Sequence, residues 1–325
     1  MTVPVLEIHL SDSDAADALY HDVRVGLSRA PKSLPPKWFY DARGSELFEQ
    51  ITMLPEYYPT RTERELLRHS AADIAGLAAA NTLVELGSGS SEKTRLLLDA
   101  LTAIGSLERF VPLDVSESAL RAAMTAVAQE YPSLAVHGVV GDFTRHLELL
   151  PGDRTGRRLV AFLGGTIGNL MPSERTGFLS ALRAVLKPGE LLLLGAGLVT
   201  DPAVLVPAYD DAAGVTAEFN RNVLAVLNRE LGADFDLAAF DHVAVWNTER
   251  EWIEMRLRAR RAMIVRLPAV DMTVQFATGE EMITEVSDKF RRTGLAAELA
   301  EYGFAERAWW TDLDDRFALV LAAAS

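Results

Sequence analysis

The chain has 325 residues, enough for two domains with a sizeable core, and carries 32 basic against 46 acidic side chains for a formal net charge of -14. That surplus argues against a nonspecific grip on nucleic acid phosphates or anionic lipid and favours small neutral or cationic partners. Cysteine is absent, which removes disulfides, thiolate metal sites and cysteine nucleophiles and is compatible with a reducing cytoplasm; the six histidines lack metal-ligand spacing, so no metal is expected.

In chain order, Met1 to Ser11 has neither a basic flank nor a long apolar stretch, and no later run approaches the roughly 18 apolar residues of a membrane span. The expectation is a cytoplasmic, unanchored monomer. Lys32 to Asp41 cannot be helical across Pro35 and Pro36, and it sets Trp38, Phe39 and Tyr40 side by side in a constrained stretch. Leu54 to Arg61 repeats that character with Tyr57 and Tyr58 between two prolines. Leu83 to Leu86 then reads as a buried strand running into Gly87-Ser88-Gly89 and a helix. Further short apolar runs follow: Arg109 to Asp114, Ala135 to Val140 ending in Gly141-Asp142-Phe143, Arg158 to Leu163 leading into Gly164 to Leu170, and Leu191 to Gly195 after the Lys187-Pro188-Gly189 turn. Polar strand tips with helical stretches between them predict an α/β fold, a doubly wound parallel sheet with its ligand at the carboxyl ends of the strands. From about 200 to 289 the pattern changes to helix-like spacing over Thr216 to Leu231 and strand-like runs at Met263 to Leu267 and Met272 to Phe276, which reads as an insertion. Gly303 to Leu321 predicts an antiparallel hairpin that completes the sheet. The predicted division is a sheet domain over 61–199 and 290–325 and a smaller α+β domain assembled from 1–60 and 200–289.

The glycine loop discriminates between cofactors. Gly87 to Thr94 would satisfy the phosphate-binding pattern G-x-x-x-x-G-K-[ST] if Glu92 were glycine, and Glu92 also replaces the third glycine of the dinucleotide fingerprint. A carboxylate there faces the phosphates that the loop amides must cradle. S-adenosylmethionine carries no phosphate, and a turn with Gly87 and Gly89 for close backbone approach suits it better. Asp114, twenty-five positions after Gly89, falls roughly where a ribose-diol ligand is expected about 20 residues past such a loop, although it also reads as a helix cap before Ser116. Asp142 can accept from an adenine amine with Phe143 beside the base, and Phe143 reads equally as core.

Taken together, Pro35 to Asp41, Leu54 to Arg61, Glu85 to Gly89, Gly164 to Asn169 and Glu281 to Phe290 resemble the histidine-specific methyltransferases over nearly the whole chain. The resemblance implies a Rossmann-like class I methyltransferase sheet with a second, smaller α+β substrate domain, S-adenosylmethionine as cofactor and no metal. It also implies three successive methylations of the α-amine of L-histidine, giving hercynine, the first step of ergothioneine biosynthesis. Matched position by position, Gly87, Lys93, Asp114, Asp142 and Phe143 are carried over as cofactor contacts beside the loop's Gly89. Tyr57, Asn169, Tyr209, Glu285 and Ser287 are carried over as amino-acid contacts, with Tyr40 and Met255 near the imidazole.

Residue chemistry supplies reasons beside the resemblance. A nucleophilic amine must be neutral, so its site needs acceptors that tolerate proton loss, and Asn169 in a glycine-flanked loop offers an amide oxygen, although it also reads as a turn residue. Tyr57 and Tyr209 can hold a carboxylate without a competing cation, and either can take a proton or pass it to water. Both also read as packing residues. Glu285 and Ser287 are two apart, so an extended segment points them to one side, where they suit the two nitrogens of an imidazole; the alternative for Glu285 is a solvated face. Other readings stay open: a methyltransferase of another free amino acid or of protein, and a noncatalytic S-adenosylmethionine-binding module.

Overall fold

A computed structural model of the chain describes residues 3–151 and 156–325, with only the backbone at Asp12. The chain opens with β1 (Val5–Ile8), α1 (Asp12–Leu27), β2 (Lys32–Ser33), α2 (Ala42–Met53) and α3 (Tyr58–Ala78). Alternating elements follow as β3 (Thr82–Leu86), α4 (Arg95–Ala103), β4 (Arg109–Asp114), α5 (Glu117–Glu130), β5 (Ala135–Val140), β6 (Arg158–Phe162), α6 (Pro172–Val185) and β7 (Leu191–Gly197). Next come α7 (Pro202–Tyr209), α8 (Val215–Leu231), β8 (Phe240–Asn247), β9 (Trp252–Ala259), β10 (Met263–Leu267), β11 (Met272–Phe276) and β12 (Glu281–Asp288). The chain closes with α9 (Arg292–Glu301), β13 (Phe304–Thr311) and β14 (Phe317–Ala324). It divides into one compact unit of Met1–Ser11, Thr62–Val199 and Phe290–Ser325 and a second of Asp12–Arg61 and Thr200–Lys289.

The first unit is an eight-stranded sheet in the order β1-β5-β4-β3-β6-β7-β14-β13. The strands from β1 to β7 pair in parallel, whereas β14 runs antiparallel between β7 and β13. Near-continuous apolar strands such as Leu83 to Leu86 and Leu159 to Phe162 are buried because the sheet carries apolar cores on both faces, one around Leu97, Leu101 and Phe110 and the other around Phe162, Phe178 and Val320. The chain steps from β3 outward through β4 to β5, then returns to β6 on the other side of β3. That reversal is the topological switch point, beside which the loops after β3 and β6 lie and where sheets of this kind bind their ligands.

Two expectations are corrected here. Residues 1–60 do not form one piece of the smaller domain: Val5 to Ile8 pair with His137 to Val140 and cover the edge of the large sheet. The aromatic and proline density that set the expected boundary starts only at Lys32, and a four-residue edge strand has no such signature. The prolines near residue 58 also do not prevent a helix, because Pro59 lies in the first turn of α3, where a missing N–H costs nothing. Pro36 likewise opens a short 3-10 turn, Pro36–Phe39.

The second unit holds a four-stranded sheet, β2-β12-β9-β8, with β10 and β11 paired beside it. α8 packs on β8 and β9 and against α2, burying Phe219, Val223 and Leu227 with Met255, Leu257 and Met282. The pairing of β12 with β9 is irregular: Ile283 faces Arg256, but Glu285 faces Met255, so Thr284 is an extra residue in the ladder. The Thr284 hydroxyl lies 2.6 Å from Asn220 Oδ1 of α8 and 3.0 Å from the Met255 carbonyl, so its one hydrogen is shared between two acceptors at the irregularity.

Candidate active site

In the sheet unit, Gly87 (φ 68°) and Gly89 (φ 50°) both occupy the left-handed region that glycine adopts without strain. Gly89 N–H donates to Asp114 Oδ2 (2.8 Å) and Ser116 N–H to Asp114 Oδ1 (2.9 Å), so Asp114 ties the loop after β3 to the tip of β4. The cap of α5 is Ser116 itself, whose hydroxyl accepts from Ala119 N–H (3.3 Å). Burial raises the Asp114 carboxyl above its usual range against the pull of those amides. Beneath the loop, Glu85 accepts from Ser91 Oγ (2.8 Å) and from Thr94 Oγ1, and burial pushes it up to about 7. Glu85 is therefore a staple inside the loop, facing its own hydroxyl donors. Phe143 stacks edge-on to Phe162 (5.0 Å between centroids) and lies where a β-carbon on Gly87 would touch it, so it serves the core and also borders the loop. Asp142 accepts from Thr144 N–H (2.8 Å) and Thr144 Oγ1 (2.6 Å) through one oxygen.

The loops after β3 and β6 are joined through a residue that sequence reasoning missed. Glu63 of α3 is fully buried; it pairs with Lys93 and accepts from Gly164 N–H (2.7 Å). It also lies against Gly195, where a β-carbon would collide with its carboxylate. Nothing in the surrounding sequence announces this, because its partners lie 30 and 101 positions away. Asn169 ends the 3-10 turn Thr166–Asn169 that follows Gly164, half-buried, and its carboxamide makes no hydrogen bond among the described residues.

This unit fits S-adenosylmethionine. Ser88 Oγ, between the two glycines, is buried without a partner among the described residues, a donor and acceptor held at the loop for something else. Glu92, which opposed a phosphate reading, points into an ion pair with Arg64 (2.7 Å). No cluster of histidine, aspartate or glutamate among the described residues is arranged to hold a metal.

In the smaller unit, Tyr40, Phe48, Tyr57 and Tyr209 form a row of edge-to-face rings with centroids 5.5, 6.3 and 6.3 Å apart. Glu285 and Ser287 are both buried on the side of β12 that carries Met255, directly opposite Glu285 across the ladder. The solvated-face alternative for Glu285 is thus excluded. Ser287 Oγ accepts from Tyr209 Oη (3.0 Å), and Tyr209, whose phenol burial and Glu285 push upward, is the last residue of α7. Its carbonyl meets His242 Nε2 at 2.8 Å. Lys289, also missed, continues the alternation of 285 and 287: its Nζ donates to Tyr209 Oη (2.9 Å) and Ser287 Oγ (2.6 Å). Burial lowers Lys289 to about 8 and raises Glu285 to about 7, each opposed by the charge of the other. Glu285 makes no hydrogen bond among the described residues. The unit therefore groups Tyr40, Tyr57, Tyr209, Met255, Glu285 and Ser287, whereas Asn169 and the residues expected to contact the cofactor belong to the sheet unit.

Comparison with known proteins agrees with this chemistry. The family described as histidine-specific methyltransferase, SAM-dependent, matches residues 19–324. The histidine N-alpha-methyltransferase of Mycolicibacterium smegmatis is 60% identical over 314 residues, covering 97% of this chain and 97% of that protein. Its counterpart in Mycobacterium tuberculosis is 59% identical over 315 residues, 97% of this chain and 98% of that protein. Ergothioneine biosynthesis protein 1 of Neurospora crassa is 34% identical over 205 residues, 62% of this chain and 23% of that longer protein.

Proposed function

The chain belongs to the histidine-specific, S-adenosylmethionine-dependent methyltransferase family, and we propose that it methylates the α-amine of free L-histidine three times, making hercynine for ergothioneine biosynthesis. The observation that carries the substrate reading is Glu285, a buried carboxylate without a hydrogen bond among the described residues, on one face with Ser287. A buried acceptor left unpaired is costly unless a ligand supplies the donor, and an imidazole N–H does so. Gly87, Gly89, Lys93, Asp114, Asp142 and Phe143 hold the cofactor on this reading, and Tyr40 and Met255 flank the ring.

S-adenosylmethionine supplies a methyl group on a sulfonium, open to in-line displacement by an amine lone pair. An ammonium has no lone pair, so the protein must take the amine after proton loss, and Asn169 accepts from it through a neutral oxygen that holds the charged form less strongly than a carboxylate would. Tyr57 directs its hydroxyl at the substrate carboxylate and is the candidate for passing a proton to water, whereas the hydroxyl hydrogen of Tyr209 is already given to Ser287, so Tyr209 contributes its ring and holds Ser287 in place. No residue forms a covalent bond; positioning alone can supply roughly 7 to 11 kcal/mol of the barrier. As methyls replace amine hydrogens, hydrogen bonding gives way to attraction between the growing cation and rings such as Phe48, Tyr57 and Tyr209, on the order of 1 kcal/mol.

Mass spectrometry of the protein with S-adenosylmethionine and each of the twenty free amino acids, with a peptide mixture alongside, tests the proposal. Three successive methyl increments on histidine are expected. Preferred methylation of another amino acid, or of peptides, overturns the substrate, and the absence of any methylated product returns the protein to a binding role. The reading includes a cytoplasmic monomer, checked by size-exclusion chromatography with light scattering and by cell fractionation.

A further inference from the structure

The triangle of Tyr209, Ser287 and Lys289 sets the hydrogen-bonding polarity of this face. An ammonium has only hydrogens to give, so Lys289 occupies a lone pair on Tyr209 Oη (2.9 Å) and one on Ser287 Oγ (2.6 Å). One hydrogen lies between the two hydroxyls (3.0 Å), and the phenol, being more acidic than an aliphatic alcohol, gives it to Ser287. Both lone pairs of Ser287 are then filled, and what it has left for a ligand is its own hydrogen. Glu285 is the reverse: as a carboxylate it can only accept, and no donor among the described residues meets it.

We infer that Lys289 is a positioning residue that fixes Ser287 as a donor, so that Glu285 and Ser287 together select one neutral imidazole tautomer, N–H toward Glu285 and bare nitrogen toward Ser287. The inference rests on the reading that these two residues hold the substrate ring. An imidazolium presents two N–H groups; the second would meet Ser287 where no lone pair remains. It would also bring a second cation beside the ammonium of Lys289, which the carboxylates of Glu285 and Asp288 already face. A ring without nitrogen leaves the Ser287 donor and the Glu285 acceptor both unpaired, which is how such a pair rejects other aromatic amino acids.

Histidine labelled with 15N at both ring positions, bound to the full protein with S-adenosylhomocysteine at about pH 7.5, tests this directly, because Glu285 is then mostly ionised and Lys289 still mostly charged, and a carboxylate beside the ring would by itself favour the imidazolium. One pyrrole-type and one pyridine-type nitrogen resonance are expected from bound ligand; two pyrrole-type resonances overturn the inference. Lys289→Met empties a lone pair on Ser287 and is expected to let the ring bind protonated at the same pH, and a ring that stays neutral removes Lys289 from this role. Should that variant not fold, Tyr209→Phe removes the other donor to Ser287 and carries the same expectation. Glu285→Gln separates the two levels. If it leaves the ring resonances unmoved, or histidine does not bind the wild type, the underlying substrate reading fails; if it moves them while Lys289→Met and Tyr209→Phe leave the ring neutral, only the assignment of Lys289 fails.

Discussion

Glu85 and Glu285 are both buried carboxylates that lack of solvation lifts to about 7, yet one is saturated by its own loop and the other is left open, on the proposed reading for a ligand. Glu85 accepts from Ser91 and Thr94, which belong to the same strand-to-helix turn, so its burial organises the backbone around Gly87 and Gly89. Glu285 has the opposing charge of Lys289 and no hydrogen bond among the described residues. A displaced pKa therefore does not by itself separate scaffold from site. The donors do: an acceptor saturated from within stabilises the fold, and an acceptor left open is set aside for something that arrives later.

Alanine at the two positions should give opposite signatures. Glu285→Ala is expected to lower kcat/KM for histidine roughly 10- to 200-fold, the equivalent of a charge-assisted hydrogen bond of about 1.5 to 3 kcal/mol, while Tm holds or rises because an unpaired buried acid is gone. Glu85→Ala should instead lower Tm, since two buried hydroxyls lose their acceptor at about 1 to 3 kcal/mol. Kinetics and thermal melting of both variants break the comparison if Glu285→Ala unfolds the protein and leaves kcat/KM alone.

Asn169 extends the comparison to the sheet unit, since its carboxamide is also open. Asn169→Ala should cost on the order of 100-fold in turnover through misplacement of the amine by about 1 Å, with little change in S-adenosylhomocysteine affinity by calorimetry. Preserved turnover with a lowered Tm would make it a turn residue only. Asp114 mixes the two roles, holding Gly89 and Ser116 while keeping free lone pairs. Its replacement by alanine should weaken S-adenosylhomocysteine binding by about 1.5 to 3 kcal/mol, and unchanged binding would leave it to the loop alone.

The remaining prediction is in pH. Both acids protonate in the folded chain near 7 and in the unfolded chain near the ordinary carboxyl value of 4.5. Between those values the folded state holds the extra protons, so stability falls as pH rises from about 4.5 to 7 and the cost is complete above that, at most about 3 kcal/mol per group. Glu285→Gln should remove its share, so that the Tm difference between variant and wild type widens over that window by a few degrees. A difference constant with pH would place the Glu285 pKa near that of an ordinary carboxylate.

Much of the sheet unit was readable because its signals are local. Apolar runs at Arg109 to Asp114 and Ala135 to Val140 became β4 and β5 over the same residues, and the terminal hairpin joined the sheet beside β7 as expected. The pairs Met263 to Leu267 and Met272 to Phe276 likewise formed β10 and β11. The polar spacing of Glu285 and Ser287 was legible for the same reason, since an extended strand fixes where alternate side chains point. Lys289 was legible in principle as the next step of that alternation. Glu63 and β1 were not: each is defined by partners more than a hundred residues away, Gly164 for one and His137 to Val140 for the other, and a single chain read in order has no signal at that range.

The extra residue at Thr284 gives β12 something like a reading frame. Met282 and Thr284 address the apolar core and α8 from even positions, and Glu285, Ser287 and Lys289 address α7 from odd ones, so the strand carries two alternations one step out of phase. The bulge is the frameshift that lets both be expressed on one face. Deleting Thr284 would straighten the ladder and leave the polar triplet where it is, whereas deleting Val286, two steps on, would send Ser287 and Lys289 to the opposite face. The two shortened chains would differ by one side chain in composition and by whether Ser287 and Lys289 still share a face with Glu285.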